Sequence, residues 1–170
     1  MANWRLRIPE TGSNQSAPLS RAATEQAEFT AFLENVVKAA YEEISTRVEE
    51  QGRTTEIHMA ISGCSLSVSH NGVDEIYYHV YRYALPNRIF PYVEVKFKER
   101  GSRNLKVKRT GSPLLDFNKT NITIKEITKE HVITSFDKYY NDVLSAIAEA
   151  QASEAAERDE YSYDQKAEQE

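Results

Sequence analysis

The chain has 170 residues, 40% hydrophobic and 28% charged, with a formal net charge of −5. That size and mixture suit one folded domain around one core, and they exclude a chain too polar to fold. No apolar run approaches the roughly 20 residues a bilayer span requires, and a single cysteine, Cys64, excludes an internal disulfide and a multi-cysteine metal site.

Residues 1–19 are polar, carry Pro9, Gly12 and Pro18, and read as a flexible arm, with Trp4, Leu6 and Ile8 alternating as if to extend a sheet edge. No apolar h-region follows Met1, so a secretory signal is not expected, and the lone cysteine fits a reducing, cytoplasmic setting. Ser20 is placed to cap a helix over residues 21–50. Its apolar stripe runs through Phe29, Leu33, Val36, Ala40, Ile44 and Val48, widened by Phe32, Val37 and Tyr41, and Gly52 supplies the stop.

Strands follow. Residues 55–61 form a short candidate, residues 64–70 a second, and Asn71-Gly72 a two-residue hairpin turn. A regular hairpin there sets Val68 opposite Glu75, Leu66 opposite Tyr77 and Ser67 opposite Ile76. The return strand, 75–85, then carries Tyr77, His79, Tyr81 and Tyr83 on one side and Ile76, Tyr78, Val80 and Arg82 on the other. With Leu66 facing Tyr77, the Tyr77 row is expected in the core. If exposed, it would form a stacking platform.

Pro86-Asn87 turns the chain toward Phe90 and a basic hairpin over residues 93–109. Val93, Val95 and Phe97 alternate with Glu94, Lys96 and Lys98, and Leu105 and Val107 alternate with Asn104, Lys106 and Lys108. A three-residue loop, Arg100-Gly101-Ser102, brings the apolar sets to one face, with Phe97 opposite Leu105 and Val95 opposite Val107. Glu94 then faces Lys108, and Lys96 faces Lys106, a like-charge pair that an anion would relieve. Residues 110–113 end the hairpin, Leu114 to Phe117 pack locally, and residues 121–127 read as a last strand. A second helix starts near Thr128, with Val132, Phe136, Tyr139 or Tyr140, Val143 and Ile147 as its stripe and Ile133 and Leu144 beside it. Beyond Ala150 acids accumulate, and residues 151–170 read as an acidic tail, partly helical or disordered.

The expected fold is α+β: a mostly antiparallel sheet of four to six strands, covered by two long helices, one N-terminal and one C-terminal to the strands, over residues 20–150. Residues 96–129 hold ten Lys/Arg against three acids, while the rest of the chain is acidic. This separation points to a nonenzymatic interaction protein, a regulator or inhibitor, binding an acidic protein surface or nucleic-acid phosphates through the basic hairpin. The expected contacts are Lys96, Lys98, Arg100, Arg103, Lys106 and Lys108, with Tyr81 and Tyr83 as aromatic anchors. No cofactor, metal or membrane contact is expected, whereas the long helices and strand edges leave room for a homo-oligomer.

The alternative is a Mg²⁺-dependent nuclease using Asp74, Glu94 and Lys96, because Glu-x-Lys on one strand face can hold a metal and orient water. Glu94 also has Lys108 as an expected structural partner, and the spacing is short enough to arise in any alternating strand. His58, His70, His79 and His131 lack ligand spacing and read as ordinary polar residues. Cys64 and the Ser65, Ser67 and Ser69 row need no catalytic role.

Overall fold

The computed structural model describes residues 20–85, 88–99, 106–115 and 122–167, without the side chains of residues 88, 98–99, 106–110, 157 and 159–167. The N-terminal arm, the Pro86-Asn87 turn and the loop carrying Arg100 and Arg103 lie outside the described residues, as do the side chains of Lys98, Lys106 and Lys108.

The first helix forms as α1 (Arg21–Phe32) and α2 (Lys38–Glu49), joined without a break by a π-helical turn, Leu33–Val37. Ser20 caps it, its hydroxyl accepting from the Ala23 N–H at 3.3 Å. The one extra residue in the π turn rotates the apolar stripe, so that Phe29, Phe32, Leu33, Val37, Tyr41, Ile44 and Val48 are all buried. Gly52, at φ +78°, ends the helix in the left-handed conformation that a side chain would resist.

Five strands follow among the described residues: β1 (Thr54–Ala60), β2 (Gly63–His70), β3 (Val73–Leu85), β4 (Arg88–Glu99) and β5 (Lys106–Pro113). Each pairs antiparallel with its sequence neighbour, so the sheet is a meander in the order β1-β2-β3-β4-β5. The 39-residue α3 (Lys129–Ala167) closes the chain and carries helix into the acidic stretch. The expected α+β architecture is therefore present: one antiparallel sheet, with one long helix preceding the strands and another following them.

Both helical units cover one face of the sheet. Cys64, Leu66, Val68, Ile76, Tyr78, Val80, Val93 and Val95 are buried there against the α1–α2 stripe and against Val132, Phe136, Tyr140 and Val143 of α3. A wholly buried phenol needs a partner, and Tyr41 finds two: its hydroxyl donates toward the Cys64 carbonyl at 3.1 Å and the Tyr78 carbonyl at 3.4 Å. Arg47–Asp137 and Lys129–Glu43 pairs tie α2 to α3 at the surface.

Three expectations are corrected. The Asn71-Gly72 turn forms, with φ +52° and +73°, and pairs His70 with Val73 and Ser69 with Asp74. A bulge then leaves Glu75 as an extra residue of β3, so Val68 faces Ile76 and Leu66 faces Tyr78. One residue of slip exchanges the faces of everything beyond it, and Tyr78, not Tyr77, enters the core.

The second correction is in the β4–β5 register. Phe97 faces Lys108, Lys96 faces Arg109 and Glu94 faces Gly111, three residues away from the expected alignment. The longer ladder decides this, because β5 runs on through Ser112 and Pro113 to pair with Val93 and Tyr92. The Leu114 N–H then bonds the Pro91 carbonyl at 3.0 Å. Finally, the expected strand over 121–127 is a 3₁₀ turn, Ile124–Glu126. Glu126 accepts from both the backbone and the hydroxyl of Thr123, a capping box that closes the turn before a ladder can start.

Candidate binding face

The bulge sets the character of the surface away from the helices. Beyond Glu75, the odd residues of β3 fall in the row opposite Ser67, Ser65 and Gly63 on one side and Lys96, Glu94 and Tyr92 on the other. Small residues on β2 leave space for rings. Gly63 is the sharpest case, since a Cβ there would come within 2.4 Å of His79 Nε2 and 2.7 Å of the Val80 carbonyl. The aromatic side chain occupies the volume that any other residue would need.

The result is a row of rings in contact. Tyr77 and His79 have centroids 5.9 Å apart, and His79 stacks on Tyr81 at 5.5 Å with 29° between planes. Tyr81 meets Tyr92 at 6.2 Å, and Tyr92 meets Tyr83 at 4.3 Å. At the other end, Lys96 Nζ lies 4.8 Å from the Tyr77 centroid, inside cation–π range. Tyr83 is 43% exposed, and Tyr77, His79, Tyr81 and Tyr92 are half-buried.

Charge is sparse within the row. Glu94 sits 3.5 Å from Lys96 and 3.9 Å from His79 Nδ1. Burial pushes the His79 pKa below its ordinary value, outweighing the opposite pull of Glu94, so the ring is neutral at physiological pH. Burial, aided by Glu94, pushes the Tyr81 hydroxyl up and keeps it a neutral phenol. The face thus offers uncharged π surfaces beside a lysine.

Of the residues singled out from sequence, Tyr81, Tyr83 and Lys96 meet here. Lys98 continues the Lys96 row along β4, and the β5 positions paired with that row are Arg109 and Val107. Lys106 pairs with Glu99 and Lys108 with Phe97, so the expected facing of Lys96 by Lys106 and of Glu94 by Lys108 is replaced. Tyr92 was missed because its place beside Tyr81 depends on the β3–β4 register. Tyr77 and His79 belonged to a visible alternating row that the assumed hairpin register directed into the core.

The nuclease residues converge only in part. Asp74 and Lys96 line one pocket of about 230 Å³ together with Ser67, Glu75 and Tyr77. Glu94 lies two pairs further along the ladder, opposite His79, and is not among the residues lining that pocket. Among the described residues, no group of three His, Cys, Asp or Glu is arranged to hold a metal ion. Cys64 is fully buried and its pKa is pushed up to about 11 by desolvation, which keeps the thiol protonated at neutral pH.

Gly63→Ala tests how the row is supported. The new Cβ must displace both His79 and the β3 backbone, and overpacking of this kind costs about 1–3 kcal/mol. We expect a matching fall in urea-unfolding free energy and a shifted His79 ring resonance. An unchanged His79 signal would show that the glycine does not support the ring.

Comparison of the chain with protein-family models, with curated proteins and with solved structures returned no match.

Proposed function

We propose that this protein is a nonenzymatic binding module that lays single-stranded nucleic acid across the face of its sheet opposite α1, α2 and α3. Bases stack on Tyr81, Tyr83 and Tyr92, and phosphates meet Lys96 and the basic segment that continues from it. The observation that carries this reading is the contiguous ring row ending in Lys96 Nζ, 4.8 Å from the Tyr77 ring. Stacking accepts any base, because every base has a π face, and cations along the strand supply affinity by releasing counterions. The overall charge of −5 opposes coating of nucleic acid by the whole surface, so contact is confined to this face and the basic segment that continues from Lys96.

The test is fluorescence anisotropy with labelled 12-nucleotide oligouridylate and oligothymidylate at 50 and 200 mM salt. Each lost stacking ring is worth about 1–3 kcal/mol, so Tyr81→Ala and Tyr83→Ala should each weaken binding roughly 5- to 150-fold. Lys96→Glu should also weaken it and flatten the salt dependence. Wild-type and variant affinities that are equal, or no binding at 50 mM salt, would reject the reading. Capture of polyglutamate instead would make an acidic protein the partner. Mg²⁺-dependent cleavage abolished by Glu94→Gln would assign Asp74, Glu94 and Lys96 to catalysis.

A further inference from the structure

On the opposite side of the sheet, the C-terminal end of β5 and the first three turns of α3 border a cavity of about 570 Å³. That is within the roughly 300–1,000 Å³ of small-molecule pockets. Its wall is apolar: Leu114 is buried, and Pro113, Leu115 and Tyr139 are half-buried around it.

The polar groups facing this space are arranged to donate. Ser135 Oγ accepts the Tyr78 hydroxyl at 2.7 Å, which leaves its own hydrogen to give. Ser112 and Tyr139 share one hydrogen bond of 2.7 Å and retain one hydroxyl hydrogen between them. His131 Nδ1 accepts the Thr128 N–H at 3.1 Å, so in the neutral ring the proton sits on Nε2, a further donor. Lys138 is exposed on the same helix. Among the described residues it has no carboxylate partner, and its ammonium lies 5.9 Å from the Tyr139 ring.

We propose that this cavity binds a small organic carboxylate. An apolar body lies against Leu114 and Leu115, and the carboxylate is received by Lys138 with His131 and Ser135. One ammonium beside hydroxyl and imidazole N–H donors matches a carboxylate, and the apolar wall requires a hydrocarbon or aromatic body that an inorganic anion lacks. This site is independent of the sheet-face reading, since the residues that carry it belong to the other side.

The probe is 3-phenylpropionate, with 3-phenylpropionamide as its neutral counterpart, titrated into the full chain and followed by ¹⁵N–¹H spectra. We expect saturable binding of the acid with shifts centred on residues 112–115 and 131–139, and at least about tenfold weaker binding of the amide. Lys138→Gln should weaken the acid about tenfold and leave the amide unchanged. Leu115→Trp should remove both by filling the cavity. Should Leu115→Trp fail to fold, Lys138→Gln still decides, because that side chain is exposed on a helix. Absence of saturation, equal affinity for acid and amide, shifts centred elsewhere, or acid binding indifferent to Lys138→Gln would each overturn the assignment.

Discussion

Glu75→Ala will lower the free energy of unfolding by about 3–5 kcal/mol, the usual cost of breaking a buried ion pair from one side. Glu75 is the extra residue of the β3 bulge and is only 7% exposed. Its Oε2 accepts from Arg53 Nε at 2.8 Å and from the Tyr140 hydroxyl at 2.9 Å, while His70 Nδ1 stands 3.7 Å from Oε1. One carboxylate thereby joins the bulge, the segment after α2 and the N-terminal third of α3. Burial opposes the Arg53 charge, but the hydrogen bond to Glu75 and the fields of Tyr140 and Glu75 outweigh it and hold the guanidinium pKa above its usual range. Removing the carboxylate leaves that cation and the Tyr140 hydroxyl without their acceptor.

Urea unfolding followed by both circular dichroism and tyrosine fluorescence is the measurement. At roughly 2–4 °C per kcal/mol for a chain of this size, the melting temperature should fall by about 10 °C. Glu75→Gln, which keeps an acceptor oxygen, should lose less. Arg53→Met combined with Glu75→Leu should recover much of the loss, because neither charge is then stranded. A loss below about 1 kcal/mol for Glu75→Ala would mean that water, not protein, supports Arg53.

Phe136→Ala is expected to cost a similar amount, about 3–5 kcal/mol, by opening a cavity that the surrounding helices cannot close. The ring is fully buried, meets Tyr78 edge-on at 5.4 Å and lies 5.2 Å from Tyr140. It therefore packs against both the central strand and the hydroxyl bearer of the Glu75 network. The neighbouring Ser135–Tyr78 hydrogen bond makes the same contact between α3 and β3 in polar form. Folded Phe136→Ala protein should retain any sheet-face affinity, since Tyr81 and Tyr83 lie across the sheet. A combined Glu75→Ala/Phe136→Ala variant should depart from additivity, because Tyr140 touches both sites. Strict additivity would show that the two are energetically separate.

The helices and the strands up to Glu99 were legible from local chemistry. Ser20, Gly52 and the 3.6-residue stripes specify where helix begins, ends and buries, and Asn71-Gly72 specifies a turn because Asn and Gly tolerate positive φ at little cost. The basic charge of residues 96–129 and the aromatic alternation of β3 were equally visible, since neither depends on partners. The capping box of Thr123 and Glu126 was also present as Thr-Ile-Lys-Glu, although the Ile122 and Ile124 alternation masked it.

Which face each row occupies depended on the tertiary structure. A period-two strand has two equivalent orientations, and a single bulge residue chooses between them. Glu75 takes that place because, as the extra residue of β3, its carboxylate reaches Arg53 and Tyr140, groups 22 and 65 residues away in sequence. The β4–β5 alignment was decided likewise, by a ladder that continues past the basic segment to Pro113. Sequence alone determined the helices, the strands up to Glu99 and their chemistry, whereas long-range contacts decided that Tyr77, Tyr81 and Tyr83 would face outward and Tyr78 inward, because register is set by whatever the strand's far neighbours can satisfy.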